Sequence, residues 1–252
     1  MNRYGKIGKD GSNSKEMTLN ATRYARQIQL QEIGEEGQNK IKQAKILVVG
    51  AGGLGSPILY YLAAAGVGTI GIIDNDLVSE SNLQRQILYD SHSLGLYKAE
   101  IAKQKLEALN PHCQIIAMCK RLTAENALEI IDQYDIVVDA TDNLPTRYIM
   151  DDICRSTQTP LVYGSICEFQ GQVSVFLYQK KIGYRELFPY PENMNQIQQP
   201  LGVIGTLPGI IGSIQATECL KIILGSSETL SGKLLQIDLL KNHFQLFTIC
   251  SN

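Results

Sequence analysis

No stretch of this 252-residue sequence stays apolar for the ~18 residues that a membrane-spanning helix needs. An excess of one charge is missing too. The 23 Lys and Arg stand against 25 Asp and Glu, and a net charge of −2 gives no reason to expect nucleic acid as a partner. The six cysteines, at 113, 119, 154, 167, 219 and 250, never form C-x-x-C. That spacing offers neither a zinc knuckle nor a disulfide framework, and it fits reduced thiols in a cytoplasmic protein. The three histidines, His92, His112 and His243, are dispersed and give no helical spacing of metal ligands. The opening segment, MNRYGKIGKDGSNSKEM, lacks the apolar centre of a signal peptide. It is polar and glycine-rich, and about the first 17 residues are expected to be mobile. No internal repeat is present.

What is there begins with ordinary globular proportions, 44% apolar and 19% charged residues. The expected division is a flexible segment over residues 1–19 and a single domain over 20–252. The chain is organised around Lys45–Asp76, KILVVGAGGLGSPILYYLAAAGVGTIGIIDND. Ile46–Val49 and Thr69–Ile73 are β-branched and leucine runs of the kind that form buried parallel strands. Between them Gly50, Gly52 and Gly55 fit G-x-G-x-x-G. Ser56 can cap the following helix, Pro57 sits where a missing N–H costs nothing, and Gly66 ends the helix. Residues without Cβ let the backbone approach a phosphate, and the helix start presents unpaired N–H groups and a positive dipole end. Asp74 follows Gly55 by 19 residues, where a carboxylate can accept from ribose hydroxyls. This is the pattern of a nucleotide site, and by itself it does not choose between NAD and ATP.

Further along, the periods alternate between helix and strand. Arg23–Gln43 reads as one or two short helices, with Arg23, Tyr24 and Arg26 on a surface turn. Val78–Asp90 is a polar loop at the carboxyl end of the second strand, where doubly wound sheets bind ligands, and this puts Asn82, Arg85 and Gln86 beside the nucleotide. Lys98–Leu109 is a helix stopped before Pro111. A lysine at a helix start opposes the dipole, so Lys98 is expected either to serve an anion or to lie exposed. Gln114–Met118 is a core strand bracketed by Cys113 and Cys119, and Thr123 caps a helix through Asp132. Tyr134–Ala140 is a strand delivering Thr141, Asp142 and Asn143 at its carboxyl end, as a metal–phosphate site would need. The bland alternative is that Asp142 or Asn143 caps the next helix. Pro160–Tyr163 and Gln172–Tyr178 are further strands, the second alternating as in an antiparallel pair. Lys180–Pro200 has three prolines and no period, and reads as a long functional or partly disordered loop. A helix over Pro208–Leu224 and two strands, Leu234–Leu239 and Phe244–Ile249, complete the chain.

Together RYARQIQL, VVGAGGLGSP, DNDLVSESNLQRQ, Lys98, the NPH at 110–112, DATDN and GVIGTLPGIIGSIQATECLK resemble the ThiF/MoeB/HesA family, bacterial relatives of ubiquitin-activating enzymes. The resemblance runs from about residue 20 onward. It implies a Rossmann-like mixed α/β sheet, helices on both faces, an antiparallel extension and usually a homodimer. It also implies adenylation, with Mg-ATP, of the C-terminal glycine of a small ubiquitin-like sulfur-carrier protein ending in Gly-Gly, as in thiamine and molybdopterin biosynthesis. Carried over residue by residue, Gly50, Gly52, Gly53 and Gly55 approach the nucleotide and Asp74 holds the ribose. Ser81, Asn82, Leu83, Gln84, Arg85 and Lys98 line the phosphates, Asp142 holds Mg2+ with Asn143 beside it, and Arg26 reaches into the partner subunit's site. Two departures matter. Many relatives bind structural zinc through two C-x-x-C pairs, and here Gly183 and Glu186 replace the first pair while Cys250 alone remains of the second. A cysteine found in relatives ahead of the GVIG segment is replaced by Gln198. Zinc and a covalent thioester are therefore not expected, and Cys167 is the one thiol placed near the site.

The competing readings are a NAD-dependent oxidoreductase, a non-catalytic nucleotide or carrier binder, and a peptide-adenylating enzyme or tRNA-modifying dehydratase of the same family. Arg85, Lys98 and Asp142 weigh against the first, because NAD needs no magnesium acid, and their retention weighs against the second.

Overall fold

The structure is a computed structural model that describes residues 23–190 and 202–249. The segment expected to be mobile, residues 191–200 of the 180–200 loop, Gln198 and Cys250 lie outside the described residues.

Eight strands form one sheet in the order β3-β2-β1-β4-β5-β6-β7-β8. β1 (Lys45–Val49) pairs in parallel with β2 (Thr69–Ile73) and β4 (Ile136–Asp139), and β2 pairs in parallel with β3 (Gln114–Met118). β5 (Leu161–Cys167) joins β4 in parallel. From there β6 (Gln170–Phe176), β7 (Lys233–Asp238) and β8 (His243–Thr248) run antiparallel. This is the expected mixed sheet with an antiparallel extension. Along β1 the side chains alternate: Ile46 and Val48 face one core, Leu47 and Val49 the other. A slip of one residue would exchange the two faces, and each fully buried aliphatic side chain is worth roughly 1.5–3 kcal/mol, so the register is strongly specified.

The helices before β1 are α1 (Ala25–Ile28) and α2 (Gly34–Gln43). The Ile46 face carries α3 (Gly55–Ala65), α4 (Lys98–Leu109) and α8 (Thr206–Ile223). The other face carries α5 (Ala124–Ile131), α6 (Leu144–Thr157) and the short α7 (Tyr184–Leu187). No helix of the described residues is long and apolar enough to cross a membrane. α8 lies close against the start of α3 because residue 212 is glycine: a Cβ there would come 2.6 Å from Pro57 Cγ and 2.7 Å from Leu54 O.

Four sequence expectations need correction. Ser56 does not cap α3. The helix starts at Gly55, two residues earlier than a Ser56 cap would place it, and the Ser56 hydroxyl donates to Gly52 O at 2.8 Å. Tyr24 is not on a surface turn but buried, its hydroxyl accepting from Asn110 Nδ2 at 2.8 Å. Asn110 also donates to Ala63 O, and Arg23 donates to Leu109 O, so RYARQIQL and NPH hold each other. β3 is a sheet edge rather than a core strand, which leaves Cys119 exposed. The described part of the 180–200 segment holds a helical turn, α7, that the reading as a loop did not include: Glu186 pairs with Arg155 of α6 at 2.7 Å, and the buried Asp151 accepts from the Tyr184 N–H at 2.7 Å.

Candidate functional site

β1 is the point where the strand order reverses, since its successor in sequence lies on one side and β4 on the other. The carboxyl ends of β1, β2, β4 and β5 open there into one cavity of about 750 Å³. That volume suits a nucleotide, and the place is the crevice where doubly wound sheets bind ligands.

The glycine loop forms its floor. Gly50 has φ +99° and sits so close to β4 that a Cβ would come 2.5 Å from Ala140 O. Gly52 and Gly53 line the cavity, whereas Gly55 lies beneath, where a Cβ would overlap the Gly50 carbonyl oxygen. The middle residue of the turn is clamped from both sides. Ala51 N–H donates to Asp74 Oδ2 at 2.7 Å, and Tyr89 OH donates to Ala51 O at 2.7 Å. Asp74 Oδ1 accepts from the Asp76 N–H at 2.8 Å. Burial pushes the Asp74 carboxyl up from its ordinary value, and its backbone donors pull the other way. Each carboxylate oxygen keeps a lone pair for a ligand hydroxyl.

Lys98 opens α4 and is only 5% exposed. It is therefore not the exposed lysine of the alternative reading. Its Nζ donates to Asp76 Oδ2 at 2.8 Å, and Asp76 is exposed on the cavity wall. Arg85 Nη1 is tethered to Ser81 O at 2.9 Å, and its side chain lines the same wall. Gln86 is buried beside Gly52 with Oε1 unpartnered. Ser81, Asn82, Leu83 and Gln84 are not part of the lining. They shape the turn instead: the Asn82 side chain accepts from the Ser79 N–H, and Leu83 packs on the core.

β4 delivers the opposite wall. Asp142 is exposed there, and Asn143 accepts from the Thr146 N–H at 3.1 Å as the N-cap of α6. Asn143 is thus a helix cap that also faces the cavity. Beneath them Asp139 and Arg147 form a buried ion pair at 3.1 Å. Sequence reasoning missed both, along with Tyr89, Asp76, Lys120 and Arg121, which also line or brace the cavity. A basic pair just beyond β3 was a readable signal, since every parallel strand here ends at the same rim. Arg26 is exposed on α1, outside the cavity lining. Cys167 is in the lining. Burial pushes the thiols of Cys154 and Cys219 up, and that of Cys113 up to about 12.

Chemically, the cavity pairs cations with glycine-loop amides on one wall and a free carboxylate on the other. Among the described residues no group of three or more His, Cys, Asp or Glu could hold a metal ion. Asp142 fits a hard cation that arrives with substrate phosphates, because Mg2+ takes one or two carboxylates and completes its shell with phosphate oxygens and water.

Comparison with known proteins agrees with this geometry. The sulfur carrier protein adenylyltransferase of Thermus thermophilus is 46% identical over 237 residues, covering 91% of this chain and 88% of that protein. The "Probable molybdopterin-synthase adenylyltransferase" of Porphyra purpurea is 49% identical over 231 residues, and this chain spans 60% of its length. The crystal structure of E. coli MccB with ATP superposes with a TM-score of 0.80 at 22% identity, covering 91% of this chain and 72% of that one, a likeness of fold. The model of the ThiF family matches residues 24–252, which include every wall of the cavity, and the chain belongs to the ThiF family.

Proposed function

We propose that this protein adenylates the C-terminal glycine of a small ubiquitin-like sulfur-carrier protein, using Mg-ATP and releasing pyrophosphate. One observation carries the reading: a single cavity brings together the glycine loop, Lys98, Arg85 and Asp142. The names of the Thermus and Porphyra relatives support the carrier as substrate class.

In this reading the glycine-loop amides approach the nucleotide and Asp74 accepts from the ribose hydroxyls. The carrier's terminal carboxylate attacks the α-phosphorus, and the bond to the β-phosphate oxygen breaks as pyrophosphate leaves. No protein base is needed, because a terminal carboxylate is already ionised at neutral pH. Two anions meet, so Lys98 and Arg85 offset the negative charge that builds on the α-phosphate and the leaving group. Lys98 moves only from one anion to another, from Asp76 to phosphate. Asp142 would hold the magnesium ion, which when bound supplies further charge neutralisation.

The reading includes a homodimer in which Arg26 serves the partner's site, a cytoplasmic location, and no structural zinc. At the first of the replaced cysteine pairs, Glu186 already accepts from the Gly183 N–H and from Arg155. It also includes no thioester on this protein: Cys113, Cys154 and Cys219 are buried with their thiols held protonated, and Cys167, in the cavity lining, is the one plausible exception.

The test is pyrophosphate exchange into ATP, with and without a purified carrier ending in Gly-Gly. Carrier-dependent exchange is expected, together with a rise in melting temperature with Mg-ATP and none with NAD. Stabilisation by NAD without stabilisation by ATP would sink the reading.

A further inference from the structure

A buried ion pair is a poor stabiliser, because apolar side chains of similar volume often do as well or better. Yet Asp139 and Arg147 meet beneath the cavity with side chains only 1% and 10% exposed. Their geometry points to a different role. Asp139 Oδ1 accepts from both the N–H and the hydroxyl of Thr141, at 2.9 and 2.7 Å. Arg147 Nη2 donates to Thr141 O at 2.9 Å, and that carbonyl belongs to the peptide joining Thr141 to Asp142. On the other side, Asn143 is fixed by its cap bonds to the Thr146 N–H and hydroxyl, at 3.1 and 2.7 Å. The main chain of Asp142 is therefore held at both flanks while its side chain faces the cavity.

The guanidinium is itself anchored. It lies 5.4 Å from the centre of the Tyr163 ring and donates to Gly164 O at 3.4 Å. Gln215 of α8 reaches under the sheet to donate to Asp139 O at 2.8 Å. The planar guanidinium sets Nε 3.1 Å from Asp139 Oδ2, an ion-pair contact in which neither atom makes a hydrogen bond, while Nη2 donates to the Thr141 carbonyl; an ammonium cannot hold two such places at once.

We propose that Asp139 and Arg147 are positioning residues that preset the Asp142 carboxylate for the divalent ion of Mg-ATP. The proposal rests on the adenylation reading above. A ligand for a metal must be held within about half an ångström of its working place, and supporting hydrogen bonds achieve this.

The experiment reads binding without turnover. Melting temperature is followed with ATP plus EDTA, then with ATP over a Mg2+ titration, and no carrier is added. Wild-type protein should show a metal-free ATP increment and a further Mg2+-dependent one. Arg147→Lys should keep the first and lose most of the second, its apparent Mg2+ affinity falling about ten-fold or more. The double variant Asp139→Asn with Arg147→Met leaves no buried charge alone and keeps an acceptor for the Thr141 N–H, so it should fold, with a ligand-free melting temperature close to wild type. The same loss of the Mg2+ increment in that folded variant would support positioning over a purely structural role. A full Mg2+ increment in either folded variant would overturn the proposal. Wild-type protein with no ATP increment at all would overturn the adenylation reading and the proposal with it, a failure visible before any variant is made.

Discussion

A single methyl group at residue 55 tests whether the glycine loop is as tight as its geometry implies. Gly55 is the first residue of α3 and is buried. A Cβ there would overlap the Gly50 carbonyl oxygen and lie 3.0 Å from its carbon. These are backbone atoms, with no rotamer to swing aside. Gly50 can give way only by distorting the whole turn, because it holds φ +99° and packs against Ala140. Overpacking of this kind costs about 1–3 kcal/mol, less a few tenths for the better helix propensity of alanine. A net loss of about 2 kcal/mol lowers the melting temperature of a chain this size by roughly 4–8 °C. The Gly55→Ala loop should also lose the melting increment given by ATP, since Gly50 and Gly52 must move. Gly53→Ala is the companion variant. Its Cβ would meet side-chain atoms alone, Pro208 Cβ at 3.3 Å, Pro208 Cγ at 3.5 Å and Arg85 Cγ at 3.8 Å, and would fill the cavity side, so the fold should hold while ATP binding weakens. Differential scanning fluorimetry with and without ATP separates the two. A Gly55→Ala protein that melts within about 1 °C of wild type and keeps its ATP increment would refute the reasoning.

Lys98→Met should cut pyrophosphate exchange by about a hundred-fold at a melting temperature close to wild type, because the stem still packs and the exposed Asp76 rehydrates; retained exchange would remove Lys98 from the reaction. Gly209→Ala, at a position of α8 with nothing within 4 Å of the new methyl, should stabilise the fold by about 0.5–1 kcal/mol in urea unfolding. The Asp90 carboxyl is held down to about 2 by hydrogen bonds from Lys105 and Ser93. A depressed acid contributes stability above its unfolded value, so Asp90→Asn should melt lower than wild type at pH 7, with the difference closing as pH falls from about 4 to 2. Mixing Arg26→Ala subunits with Asp142→Ala subunits should restore part of the exchange activity if each site takes Arg26 from its partner; no recovery in dimers shown to have mixed would place Arg26 elsewhere.

Where a signal was local, the sequence carried it. The helix over Lys98–Leu109 and the strand over Gln114–Met118 are found at the bounds their periods indicate. The glycine turn, Asp74, Lys98 and Asp142 meet at one rim because parallel strands all end on the same side. What escaped depends on partners far away in the chain. Tyr24 looks like a surface residue until Asn110 supplies the donor for its hydroxyl. The anion served by Lys98 is Asp76, on another element. Arg147 sits in an amphipathic helix like any exposed arginine, and only the return of β4 beneath it supplies Asp139. The cap was misplaced by two residues, because the observed N-cap position is Leu54, which makes no side-chain cap hydrogen bond and so leaves no polar signal in the sequence.

The close seat of α8 against α3 also dictates when the protein becomes competent during its own synthesis. Residues Leu54, Ile58 and Leu62 emerge from the ribosome early, yet Leu207 and Ile211, which share their core, emerge last but for two strands. At roughly 5–20 residues per second the gap lasts on the order of ten seconds. Through that interval the nascent chain exposes one apolar flank of its nucleotide half, a surface that chaperones bind. Gln215 has not yet reached Asp139, so the wall carrying Asp142 is unfinished as well. A translating chain stalled before Thr206 would therefore hold the whole glycine loop and still fail to retain nucleotide.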